Sequence, residues 1–121
     1  MQKNPRQHNE KHLAFIRELP CIVCGENTTV EAAHVRYSDA RIAKVNAGVG
    51  AKPNDSFVLP LCGNHHRAQH QCGNERRFWN DLGMDPILYA LALYEASGNH
   101  DHAVRIIQAA QMADEARQRS Y

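Results

Sequence analysis

Leu61-Cys-Gly-Asn-His-His-Arg-Ala-Gln-His70 gathers one cysteine and three histidines within ten residues. Cys62 and His65 have the C-x2-H spacing of half a tetrahedral zinc site. His66 and His70 are four apart, so on a helix they share one face. His65 and His66 are neighbours, so their side chains diverge. The stretch therefore predicts two metal sites. One closes a knuckle with Cys62 and His65, and the other sits on the helix that follows.

Working outward, Pro20-Cys-Ile-Val-Cys-Gly25 supplies a second knuckle, two thiolates two residues apart followed by a glycine that tolerates a tight turn. Cys21, Cys24, Cys62 and His65 together make a four-ligand site for a structural zinc. Cys72 is the rival fourth ligand, with a plain buried thiol as its ordinary reading. A redox C-x-x-C is the rival for the first knuckle, but it would want a helix directly after it, and a polar turn, Glu26-Asn-Thr-Thr29, follows instead.

Between the knuckles, residues 28–37 (TTVEAAHVRY) are rich in β-formers and predict a strand carrying His34. Ser38 to Lys52 reads as a long, mildly basic loop, either a connector or a flap over a substrate. Pro53-Asn-Asp-Ser56 is a turn, and Phe57 to Leu61 is a short apolar strand with Pro60 at its end or edge. A helix follows from Asn64, its expected N-cap, to Gln71, and Cys72-Gly73 breaks it. At the N-terminal side, Leu13, Ile16 and Leu19 recur every three residues and predict a helix over Asn9–Leu19 that Pro20 stops. Beyond Gly73, three more helices are expected. Asn74–Leu82 is anchored by Phe78 and Trp79. Ile87–Ala96 starts at Asp85-Pro86 and is apolar nearly all round, hence buried. The last is capped by Asp101, with Ala103, Ile106, Ile107 and Ala110 on one face.

At 121 residues, 43% hydrophobic and 22% charged, the chain reads as one globular domain over 1–121. Residues 1–19 are its N-terminal helix, 20–72 its metal-bearing core and 73–121 a helical cap. Its apolar runs are too short to span a membrane. Met-Gln-Lys-Asn-Pro-Arg lacks the apolar core of a signal peptide, so a cytoplasmic home is expected, where cysteine pairs point to metal instead of disulfides. Residues 1–80 carry eleven Lys/Arg against seven Asp/Glu, a balance of +4, whereas residues 81–121 carry three against six, a balance of −3. That asymmetry is compatible with a phosphate-bearing partner but falls short of a basic stripe.

The order helix, knuckle, strand with a histidine, loop, strand, knuckle, histidine-bearing helix resembles the HNH, or ββα-metal, endonuclease superfamily. The matching residues are Cys21-x2-Cys24, Ala32-Ala-His-Val-Arg36 and Leu59-Pro-Leu-Cys-Gly-Asn-His-His-Arg-Ala-Gln-His70. More narrowly, His34, Arg36, Gly50, Lys52, Pro53, Asp55, Cys62, His65 and His66 are similar to the layout of small phage- and prophage-associated HNH-type nucleases. The resemblance covers about residues 20–80. It implies an α+β fold with a treble-clef-like ββα-metal core, and a metal-dependent endonuclease or nickase that hydrolyses DNA phosphodiesters. His34 would be the general base. His66 and His70 would hold a catalytic divalent cation (Mg2+, Mn2+, Ni2+ or Zn2+), and Arg36, Lys52 and Arg67 are candidate phosphate contacts. Many relatives place a second metal-binding His or Asp just before the base, and here that position is Ala33. Asp55 either reaches into the metal site or caps the turn before the second strand. Two other classes stay open: a non-catalytic zinc-knuckle nucleic-acid-binding module, which Ala33 favours, and a thiol-redox protein using Cys21 and Cys24.

Overall fold

The computed structural model describes residues 9–36, 39–41 and 55–119, the side chains of 114–119 excepted. The loop expected over 38–52, including Lys52, therefore lies almost wholly outside the described residues. The architecture is α+β, with helices arranged about one small sheet. In chain order the elements are α1 (Glu10–Arg17), β1 (Val30–His34), β2 (Val58–Cys62), α2 (Gly63–Cys72), α3 (Glu75–Leu82), α4 (Pro86–Glu95) and α5 (His100–Arg119).

β1 and β2 pair antiparallel, with Val30 opposite Cys62, Ala32 opposite Pro60 and His34 opposite Val58. Two further bonds lengthen the ladder, Gly63 N–H to Thr29 C=O at 3.0 Å and Val35 N–H to Phe57 C=O at 2.9 Å. β2 is buried along its whole length. Its other edge takes up the first knuckle, because Ile22 N–H donates to Pro60 C=O at 2.9 Å. Pro60 can stand at the middle of β2 because the hydrogen bond made at its position needs only its carbonyl.

The core gathers around β2. α1 contributes Leu13 and Ile16, and Leu19 and Ile22 follow it; Trp79 comes from α3, Ile87 and Leu93 from α4, and Ile107 from α5. Lys11 and Arg17 face solvent, as do Arg76 and Arg77. Phe78 is half-buried and stands edge-on to Trp79, ring centres 5.1 Å apart.

Four sequence expectations need correction. α2 begins at Gly63 with Cys62 as its N-cap, so Asn64 lies inside the first turn, and its side chain accepts from Arg67 Nη2 at 2.6 Å. The last helix is capped by Asn99, whose Oδ1 accepts from His102 N–H at 3.1 Å; Asp101 falls within the first turn. α4 is not buried all round: Ile87, Ala90 and Leu93 face inward while Leu88 is 56% exposed. Cys72, at the last position of α2, is exposed and is not one of the four residues that converge.

Candidate metal centre and the histidines beside it

The first knuckle is shaped by its own backbone. Cys21 N–H donates to Glu26 C=O and Gly25 N–H to Cys21 C=O, both at 2.8 Å, and Gly25 adopts a φ of 82°, which only glycine takes cheaply. The sheet register then brings the end of β2 alongside. Cys62 Sγ lies 3.9 Å from Cys24 Sγ and 3.2 Å from His65 Nδ1, and Cys21 Sγ lies 3.8 Å from the same nitrogen. All four ligand atoms fall within 4.8 Å of one another. A tetrahedral ion with Zn–S near 2.3 Å holds sulfurs about 3.8 Å apart. Cys21, Cys24, Cys62 and His65 can therefore hold a metal ion, and three thiolates with one imidazole suit zinc.

The electrostatics favour a cation there. Burial pushes the Cys24 thiol up, and its neighbours Cys21 and Cys62 add to this, to about 11. Burial also raises Cys62, but the backbone N–H of His65 and the thiols of Cys24 and Cys21 outweigh it, so Cys62 sits below its ordinary value. Cys62 therefore gives up its proton more easily than Cys24, whose thiolate would meet the charge of its neighbours. A bound dication removes that repulsion.

Glu31, on β1, reaches across to α2. Its Oε1 lies 2.6 Å from His66 Nδ1, and His66 Nε2 lies 3.3 Å from His70 Nε2. The i, i+4 pair thus shares one face, the rings tilted by 39° with centres 4.8 Å apart. Gly63 keeps this corner open. A Cβ there would stand 3.3 Å from Arg67 Nη1 and 3.8 Å from Glu31 Oε2. A cleft of about 640 Å³ lies over it, with Cys24, Glu31, Asn64, His65 and Arg67 among its walls.

His34 stands at the far end of β1. Its Nε2 lies 2.8 Å from Asp55 Oδ1, while Asp55 Oδ2 accepts Asn9 N–H at 2.7 Å. The histidine side chain is 21% exposed and the aspartate 2%. Asp55 thus engages a histidine and the N-cap of α1. Arg36 is exposed, and its backbone N–H donates to Glu75 Oε1 at 2.6 Å. Arg67, the fifth residue of α2, is exposed.

Sequence reasoning missed two residues here. Glu31 has no local signature; only its two-residue offset from Ala33, which puts both on one face of β1, could have raised it. His12, on α1, lies inside the molecule at 0% exposure, although the sequence pattern marks the buried face of that helix by Leu13, Ile16 and Leu19.

Comparison with known proteins assigns the chain to a family. It belongs to the family described as "Protein of unknown function (DUF968)", which matches residues 1–97. It is also similar to "Uncharacterized protein YdfU" of Escherichia coli (strain K12), 33% identical over 70 residues. That alignment covers 58% of this chain and 18% of the relative's length. No solved structure matches.

Proposed function

We propose that the chain is a metal-dependent endonuclease or nickase of the HNH type, built on a treble-clef-like ββα-metal core and acting on DNA phosphodiesters. The observation that carries this reading is the His34–Asp55 pair. An ionised carboxylate only accepts, so the hydrogen between them belongs to His34 Nε2. Nδ1 is then the basic nitrogen, on a ring still in contact with solvent. A neutral imidazole held in one tautomer by a buried carboxylate is equipped to take a proton from water.

The donor set on α2 supports the rest. Two imidazole nitrogens 3.3 Å apart match the edge of a tetrahedron with metal–nitrogen distances of about 2.0–2.1 Å, so His66 and His70 would hold the catalytic divalent cation. Bound there, it supplies Lewis-acid neutralisation of the charge that develops on phosphate. Arg36 and Arg67, with Lys52, would contact flanking phosphates and position the strand. The Cys21/Cys24/Cys62/His65 centre would be the structural zinc that keeps β2 and α2 in register with the first knuckle.

The test is cleavage of supercoiled plasmid and of single-stranded DNA in EDTA, Mg2+, Mn2+, Ni2+ or Zn2+, with His34→Ala alongside. Metal-dependent nicking by wild type is expected. The variant should lose about 10²–10⁴-fold in rate while keeping its zinc content and melting temperature. Wild type that binds DNA but cuts under no ion would replace this reading with the zinc-knuckle binding module, and Ala33, which carries no ligand atom and is 1% exposed, would be the physical reason.

A further inference from the structure

We infer that Glu31 is a positioning residue for the metal on α2, fixing which nitrogen of His66 faces the ion. The inference rests on the reading of His66 and His70 as a metal pair. Successive side chains of a strand point to opposite faces, so Glu31 shares its face of β1 with Ala33 and not with His34. Ala33 offers nothing to a metal. Glu31, two residues earlier, sends its carboxylate over the start of α2, where Gly63 leaves room for it.

The chemistry of the contact is specific. Glu31 Oε1 sits 2.6 Å from His66 Nδ1, and an ionised carboxylate accepts only. Nδ1 therefore carries the hydrogen, and the lone pair stays on Nε2. That is the atom 3.3 Å from His70 Nε2. With Nδ1 deprotonated and Nε2 protonated instead, His66 would turn an N–H towards the ion and the pair would lose a ligand. A carboxylate on the remote nitrogen also makes an imidazole a stronger donor. Glu31 thus gives β1 a hold on the metal without being a ligand, and the site is left with two imidazoles and open positions for water or phosphate oxygen.

An ordinary surface ion pair between Glu31 and His66 would look the same in distance, so the test must read metal and tautomer instead of stability. Zinc-loaded protein is titrated with Ni2+ by calorimetry, in wild type, Glu31→Gln, Glu31→Ala and His70→Ala. Long-range 1H–15N spectra of the nickel-free proteins report which nitrogen of His66 is protonated. Wild type should show a Ni2+ site that His70→Ala removes. Glu31→Ala should weaken that site by about 10–100-fold, and Glu31→Gln, which keeps an acceptor but not the charge, by less. His66 should be protonated on Nδ1 in wild type and shift towards Nε2 in Glu31→Ala, with bound zinc unchanged throughout. Wild-type affinity in Glu31→Ala, or no Ni2+ site that depends on His70, would overturn the inference. Because no DNA is present, a protein that shows the Glu31 dependence and yet cuts nothing would sink the nuclease reading alone.

Discussion

His12 packs edge-on against Tyr94, ring centres 4.8 Å apart, with Nδ1 2.9 Å from Ser97 Oγ. Burial holds its pKa below the ordinary 6.5, against the opposing pull of the Asp55 carboxylate. The unfolded chain therefore takes up a proton that the folded chain resists. The associated stability is whole above the unfolded value of 6.5 and is lost as pH falls towards the depressed folded value. Melting temperature followed from about pH 8 down to about pH 5 should fall more steeply in wild type than in His12→Leu. Parallel curves would show that His12 does not couple folding to protons. The same principle of partner before position applies to His34 and His66. Each is defined by the carboxylate it meets, Asp55 or Glu31, and those partners lie 21 and 35 residues away in the chain.

Among the elements, α2 does most to place the candidate chemistry, and its two ends are set differently. At its start, Cys62 is both the last residue of β2 and the N-cap, so a ligand thiol sits where helix N–H groups converge. At its end, Gly73 takes φ 75° and its N–H returns to His70 C=O at 3.3 Å. A Cβ at Gly73 would meet nothing within 4 Å, so any cost of substitution comes from the backbone alone. Gly73→Ala should lower the unfolding free energy by about 1 kcal/mol in urea titration, with unchanged zinc content. A neutral result would mean that the turn relaxes out of the left-handed region.

On the scale of the whole molecule, an ion at the candidate metal centre would add a clamp between parts already joined by the Ile22–Pro60 hydrogen bond and by the core. Its ligands come from the knuckle at 21–24 and from the junction of β2 with α2. α5 reaches the same knuckle, Gln111 Nε2 donating to Cys21 C=O at 3.1 Å. Three thiol groups and an imidazole crowd within 4.8 Å, linked by hydrogen bonds and by no disulfide. Removing the metal should therefore loosen both ends of the chain together. Cys24→Ser, or wild type treated with a strong chelator, should lose the bound zinc seen by elemental analysis and at least about 4 kcal/mol of stability. Equal metal content and melting in the variant would show that Cys24 is not a ligand. Among the described residues no helix is long and apolar enough to cross a membrane.

What the sequence determined by itself was local. Spacing along one strand or helix is enough to place His66 and His70 on one face, to start α4 at Asp85-Pro86 and to end α2 and α3 at Gly73 and Gly83. The two short cysteine and histidine spacings likewise marked the four residues that converge, because a knuckle presents its ligands through its own turn. Other features depended on which segments meet. The N-cap of α2 passed from Asn64 to Cys62 because β2 runs straight into the helix, and α4 leaves Leu88 in solvent because its neighbours cover one side only. Asp55 beside His34, Glu31 beside His66 and His12 inside the core arise from strand register and helix packing across tens of residues. Hydrophobic and ligand periodicities carry no record of a carboxylate's distant partner. Only the folded chain, which sets the orientation of β1 against α2 and of α1 against α4, decides those pairings.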